Sequence, residues 1–121
     1  MTKIQNSKQY DLEERTYQFA QEVALFCKKL PKTITNIEYV KQIIRASGSV
    51  GANYIEANES LGSKDFKMRI KICRKESKES AYWLRLIIGT NDEKFKQEGE
   101  RLFKEAIELK KIFSSIIEKS K

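Results

Sequence analysis

Two blocks of the sequence decide the fold, and they read RASGSVGANYIEAN at residues 45–58 and CRKESKESAYWL at residues 73–84. Small and polar residues stand there at positions where a bundle helix normally carries Leu and Ile. A glycine inside a helix costs about 1 kcal/mol relative to alanine, so close packing must offset Gly48 and Gly51. We expect the third helix to approach this backbone closely. A phosphate-binding loop is disfavoured, because the first block lacks a Gly-Lys-Ser ending and a preceding strand.

Apolar residues recur at alternating three and four steps along the chain, which is the period of packed helices. The predicted helices cover residues 9–30, 36–61, 64–88 and 91–119. The residues expected to end or cap them are Pro31, Thr35, Gly62, Ser63, Gly89 and Thr90. Short links favour an all-α, antiparallel up-down-up-down four-helix bundle that forms one domain over residues 1–121.

Composition excludes several classes of function. The chain has no histidine, so the usual general base and the nitrogen ligands of a di-metal bundle site are missing. Cys27 and Cys73 lack partners at metal-ligand spacing and are predicted to be small core residues. No enzyme, metal or cofactor is therefore expected. The polar start of the chain and the absence of a long apolar run predict a cytoplasmic protein with no signal peptide and no membrane span.

Four residues of the first block follow the pattern R-A-x-x-S-x-x-x-N-x-x-E, namely Arg45, Ser49, Asn53 and Glu56. Together with the second block, this pattern resembles the 23S rRNA intervening-sequence protein family, also called the S23 ribosomal protein family. The resemblance extends from Leu12 to the end of the chain. It implies a four-helix bundle assembled as a ring-like homopentamer, and it implies no enzyme. Related accessory proteins of diversity-generating retroelements bind nucleic acid and a reverse transcriptase through a basic surface.

A helical projection places Arg45, Ser49, Ala52 and Glu56 on one side of the second helix, with Asn53 adjoining. On the third helix it groups two carboxylates beside Trp83. We expect these polar side chains to form a partly buried network, because a lone buried charge is too costly. The predicted members are Arg45, Ser49, Asn53, Glu56, Glu76 and Glu79. Arg45 is expected to pair with Glu56 or with Glu76. The alternative is that all of these side chains are simply exposed.

Positive charge is concentrated on the predicted third helix. The chain carries a net charge of +7, and residues 64–89 hold eight cations against three carboxylates. Most of these cations share one helix face with a tyrosine, and we call this face the basic stripe: Lys64, Lys67, Lys71, Arg74, Lys78, Tyr82 and Arg85. A line of cations is typical of a surface that neutralises phosphates, and a tyrosine is able to stack on an unpaired base. The alternative is a solvated face that only keeps the protein in solution.

A second apolar edge on the third helix predicts self-association. The edge consists of Met68, Ile72, Trp83 and Leu86, and a single bundle needs only one apolar stripe per helix. The resemblance favours a pentamer among the possible homo-oligomers. Two classes of function stay open: an oligomeric protein that binds RNA or DNA with little sequence preference, and a protein-interaction scaffold that recruits an acidic or polypeptide partner.

Overall fold

The computed structural model describes residues 3–121, with side chains from Leu12 onward. Four α-helices follow one another: α1 (Lys3–Lys29), α2 (Ile34–Asn58), α3 (Ser63–Thr90) and α4 (Lys96–Lys119). A short 3-10 turn (Glu93–Phe95) precedes α4, and no strand occurs within the described residues. The prediction of an all-α chain with four helices is confirmed.

Contacts between the helices show that neighbours run antiparallel. Three ion pairs join α1 to α4, and their partners advance in opposite directions: Arg15 with Glu105, Glu22 with Arg101, and Lys29 with Glu98. The same reversal relates α2 to α3, where the pairs are Tyr39 with Trp83, Arg45 with Glu76, and Asn53 with Arg69. Because α1 also packs against α2, and α3 against α4, the chain runs up-down-up-down around one core.

Several helix ends differ from the predicted ones. Thr33, and not Thr35, caps α2, because the Thr33 hydroxyl accepts a hydrogen bond from the Asn36 amide at 3.0 Å. Gly62 and not Ser63 is the N-cap of α3. At the other end α3 continues past Gly89, since the Thr90 hydroxyl bonds back to the Leu86 carbonyl inside the helix at 2.8 Å. The predicted capping box at Thr90 is therefore wrong.

The core lies on the shared axis of the four helices and is filled by aromatic and branched side chains. Its largest fully buried members include Phe19, Phe26, Phe113, Ile43, Ile70, Leu84, Leu102 and Leu109. Cys27 and Cys73 are free and buried. Burial raises the pKa of the Cys27 thiol to about 11 and that of Cys73 to about 12. Both cysteines therefore belong to the core and carry no reactive thiolate.

Gly51 of α2 packs against a different helix from the one expected. A Cβ added to Gly51 would lie 2.9 Å from the Thr16 hydroxyl oxygen and 3.3 Å from the Thr16 Cβ, so the helix that approaches this glycine is α1. The prediction named α3, which does approach nearby: the Cys73 thiol lies 3.4 Å from the Val50 carbonyl oxygen. Gly48 has open space around it, so close packing does not explain that glycine.

These two glycines should respond oppositely to alanine. Gly51→Ala should lower the free energy of unfolding by about 1 kcal/mol or more, because overpacking against Thr16 outweighs the gain in helix propensity. Thr16 has little freedom to move, since its buried hydroxyl donates to the Leu12 carbonyl at 2.8 Å. Gly48→Ala is the matched control and should raise the free energy by about 1 kcal/mol. Urea unfolding followed by circular dichroism measures both. Equal stabilisation by the two substitutions would contradict the close approach of α1.

Candidate nucleic-acid interface

The seven residues of the basic stripe all lie on α3, whose regular turns carry them along one flank of the bundle. Lys64, Lys71, Lys78, Tyr82 and Arg85 are exposed, and Lys67 and Arg74 are partly buried. Tyr82 leaves 54 % of its surface open, and its ring forms a T-shaped pair with that of Trp83, with centroids 5.3 Å apart. The stripe is thus an accessible row of cations with one aromatic ring held in place.

None of the stripe cations takes part in an ion pair within residues 12–121. The acids of α3 are Asp65, Glu76 and Glu79, and Arg45 of α2 binds the last two. The Arg45 Nη1 atom lies 3.4 Å from Glu76 Oε1, and its Nη2 atom lies 3.0 Å from Glu79 Oε1. A cation from the neighbouring helix therefore pairs with two of the three acids of α3, and the stripe cations have no carboxylate partner within residues 12–121.

Part of the stripe lines a groove between α3 and α4 with a volume of about 400 Å³, which we call the basic groove. Its lining residues are Lys71, Arg74, Lys75, Lys78, Lys110 and Ser114. Lys64, Lys67, Tyr82 and Arg85 lie on the stripe outside this groove. The groove thus gathers three stripe residues with a fourth cation of α3 and a fifth from α4.

Sequence reasoning missed three lining residues of the groove. Lys75 could have been predicted from the sequence, because residues 71, 75 and 78 also follow the three-and-four spacing of one helix face. Lys110 and Ser114 could not have been predicted from the pattern of a single helix. They join the groove only because α4 runs antiparallel to α3, which brings their turn beside the turn of Arg74.

The predicted polar network forms between α2 and α3, although its pairing differs in part. Arg45 was expected to pair with Glu56 or with Glu76, and it contacts Glu76, which is only 7 % exposed. Glu56 is exposed and makes no ion pair with any described side chain. Hydrogen bonds extend the network along α2: Ser49 Oγ donates to the Arg45 carbonyl at 2.8 Å, and Asn53 Nδ2 donates to the Ser49 carbonyl at 2.9 Å.

Arg69 is a member of this network that the sequence did not suggest. Its Nη1 atom donates to Asn53 Oδ1 at 3.1 Å, which ties α3 to α2 below the Arg45 pairs. The network therefore has one arginine from each helix reaching across the same interface. The charges of Arg45, Glu76 and Glu79 are compensated locally, which is the condition for keeping Glu76 buried.

The predicted apolar edge of α3 is partly covered within the chain itself. Trp83 packs against Tyr39 of α2 with ring centroids 6.0 Å apart, and Ile72 and Leu86 are partly buried. Met68 stays open at 46 %. The sequence did not suggest a larger apolar surface on α2, where Ile37, Ile44 and Ile55 are 44 %, 40 % and 51 % exposed. Their spacing of seven and eleven residues places them on one helix face.

The described residues contain no cluster of three or more side chains suited to hold a metal ion. Within the same residues, no helix has the length and apolarity needed to cross a membrane. The main features of this surface are the cations of the basic stripe and the basic groove. Beside them lies the α2–α3 interface, where Glu76 and Glu79 pair with Arg45.

The sequence matches the model of one protein family, described as 23S rRNA-intervening sequence protein, over residues 8–115. The structure is similar to the crystal structure of a protein with unknown function from the S23 ribosomal protein family of Bacteroides thetaiotaomicron VPI-5482. The two chains share 29 % sequence identity with a TM-score of 0.80, and the match covers 92 % of this chain and 98 % of that chain. No curated protein matches the sequence.

Proposed function

Since the chain belongs to the 23S rRNA-intervening sequence protein family, we propose that it is a non-enzymatic, oligomeric bundle protein of the cytoplasm that binds RNA or DNA. The partner that its family description suggests is ribosomal RNA or a ribonucleoprotein. One observation carries the proposal: the cations of the basic stripe have no carboxylate partner within residues 12–121. Unpaired cations arranged in a row favour a ligand whose negative charges also form a row.

Binding would be driven by phosphates and carry little sequence preference. Each phosphate that a Lys or Arg neutralises releases condensed counterions, and this release is the main source of non-specific affinity. Lys and Arg contacts to phosphates do not read bases. Tyr82 adds a ring on which an unpaired base can stack, a contact worth about 1–3 kcal/mol in single-strand binding proteins.

Self-association would strengthen this binding, and the family resemblance favours a ring-like homopentamer. Support comes from apolar side chains that the single chain leaves open, namely Met68 on α3 and the row of Ile37, Ile44 and Ile55 on α2. A ring that presents five basic stripes would hold one polyanion at several points. The local concentration of the remaining stripes then raises the overall affinity without any new type of contact.

A protein-interaction scaffold is the second candidate function. The exposed row on α2 favours it, because apolar residues at helical spacing are the usual face on which a partner helix docks. On this account the basic stripe recruits an acidic partner and nucleic acid is not bound. Retention of nucleic acid at low salt discriminates the two candidates directly.

Reversing the charge of three stripe lysines tests the proposed function. The variant Lys67→Glu, Lys71→Glu, Lys78→Glu should nearly abolish binding of RNA and duplex DNA while its circular dichroism spectrum stays helical. For the parent protein, binding should weaken steeply with salt. Filter binding across a series of salt concentrations should show a slope of log affinity against log salt that is shallower in the variant by about 2 to 3, in line with the loss of three phosphate contacts.

The matched control is Lys28→Glu, Lys32→Glu, Lys104→Glu, which changes the net charge equally at exposed positions away from α3. It should retain most of the binding, because local contacts and not net charge carry the affinity. Equal losses in the two triple variants would show that the stripe is not the site. A parent protein that retains no RNA or DNA at low salt would leave only the scaffold.

The oligomer is tested by mass. Light scattering at micromolar concentration should give about five times the mass of one chain, and Ile44→Glu with Ile55→Glu should lower that mass, because a charge cannot be buried unpaired in a subunit contact. Gln42→Glu with Gln97→Glu, at exposed positions outside this row and with the same change of charge, serves as the control and should leave the mass unchanged. A monomeric parent would contradict the proposal. Trp83 fluorescence is a poor reporter here, because Tyr39 already covers that ring within the chain.

A further inference from the structure

Two grooves of the bundle differ sharply in charge. The basic groove between α3 and α4 is lined by five cations, one serine and no carboxylate. A groove between α1 and α4 is lined by three cations and three carboxylates: Arg15, Arg101, Lys104, Glu22, Glu105 and Glu108. In that second groove, which we call the mixed groove, Arg15 pairs with Glu105 at 2.7 Å and Arg101 pairs with Glu22 at 2.8 Å. Of these two grooves on α4, only the one shared with α3 has an excess of positive charge.

The length of the basic groove sets how much negative charge a strand could supply. Residues 71 to 78 of α3 rise by about 10 Å along the helix axis. A single nucleic-acid strand carries one charge per about 3.4 Å of helix axis, so about three diester charges would lie along this length. Five cations exceed that number. A terminal phosphate, which carries more than one charge, or a chain of directly linked phosphates matches the five cations better than the diester backbone does.

Arg74 gives the groove a specific recognition element. Its side chain is partly buried, yet none of the hydrogen bonds or ion pairs among the described side chains involves it. A guanidinium presents a planar fork of five N–H donors that matches two phosphate oxygens at once, which an ammonium cannot do. Ser114, on the opposite wall, adds a hydroxyl donor. A terminal phosphate carries about −1.5 to −2 charges near pH 7 and three acceptor oxygens, so it suits this set of donors.

We infer that the basic groove, formed by Lys71, Arg74, Lys75, Lys78, Lys110 and Ser114, is a binding site for a polyphosphate group. The group can come from the 5′-triphosphate end of an RNA strand or from a free nucleoside triphosphate. The inference rests on the proposed function, because the groove is part of the surface assigned there to the nucleic-acid backbone. It adds to that function a specific site, at which the 5′ end of a strand binds more tightly than an internal phosphodiester.

The experiment uses the full-length protein and three RNAs of one single-stranded sequence that end in a 5′-triphosphate, a 5′-monophosphate or a 5′-hydroxyl. Fluorescence anisotropy at fixed salt should show that the triphosphate end binds about tenfold more tightly than the hydroxyl end, a difference of about 1.4 kcal/mol. Isothermal titration calorimetry with inorganic tripolyphosphate and with GTP measures the free source separately. Sulfate at equal ionic strength controls for general screening.

Two single variants separate the groove from the rest of the stripe. Lys110 lies on α4 outside the stripe, and Lys110→Gln should weaken binding of the triphosphate end severalfold more than it weakens binding of the hydroxyl end. Arg74→Lys keeps the charge but removes the fork, and it should also lower the preference. Lys104→Gln is the control, because it makes the same change of charge on the same helix but in the mixed groove. Its preference for the triphosphate end over the hydroxyl end should equal that of the parent protein. Thermal melts of each variant check that the bundle is intact.

The outcomes distinguish this inference from the proposed function. A preference for the triphosphate end that Lys110→Gln reduces supports the groove with the strand end as its source. Binding of tripolyphosphate and GTP without an end preference supports the groove with the free nucleotide as its source. Equal affinity for all three ends, with no binding of tripolyphosphate above that of sulfate, overturns the inference even if RNA is bound. Binding of tripolyphosphate with no binding of any RNA overturns the proposed function and leaves the groove.

Discussion

The ion pairs of Arg45 with Glu76 and Glu79 join α2 to α3 around a buried carboxylate. Glu76 is almost fully buried between α2 and α3, and a buried carboxylate is tolerated only with a compensating cation. Because α2 supplies that cation, Glu76 is compensated without any cation of the basic stripe. The stripe cations have no carboxylate partner within residues 12–121, and they lie on a different flank of α3 from this interface.

The sequence predicted most of the fold, because the three-and-four spacing of apolar residues survives in every helix and short links leave one topology. Helix ends were predicted less well. Thr33 and Thr35 are chemically equal candidates for the cap of α2, and only the position of the Asn36 amide decides between them. The partner of Gly51 was also predicted wrongly, since a small residue shows that some helix comes close but not which of its neighbours does so.

The candidate site was predictable only along single helices. The stripe on α3 and the contact of Arg45 with Glu76 follow from helical projection, whereas Lys110 enters the basic groove through the packing of α4 on α3. The exposed row of Ile37, Ile44 and Ile55 was missed for a related reason. These residues continue the apolar pattern of α2, and the sequence alone does not show which of the apolar residues of α2 face the core and which face solvent.

The most direct test of the central claim follows the arginine side chains by NMR. In a titration of 15N-labelled protein with short RNA, the Arg74 Nε–H resonance and the amides near residues 71–78 and 110–114 should shift in a saturable way. The Arg45 Nε–H resonance should stay in place, because its guanidinium is already paired with Glu76 and Glu79 across the α2–α3 interface. Shifts at Arg45 with none at Arg74, or shifts confined to α1 and α2, would contradict the account.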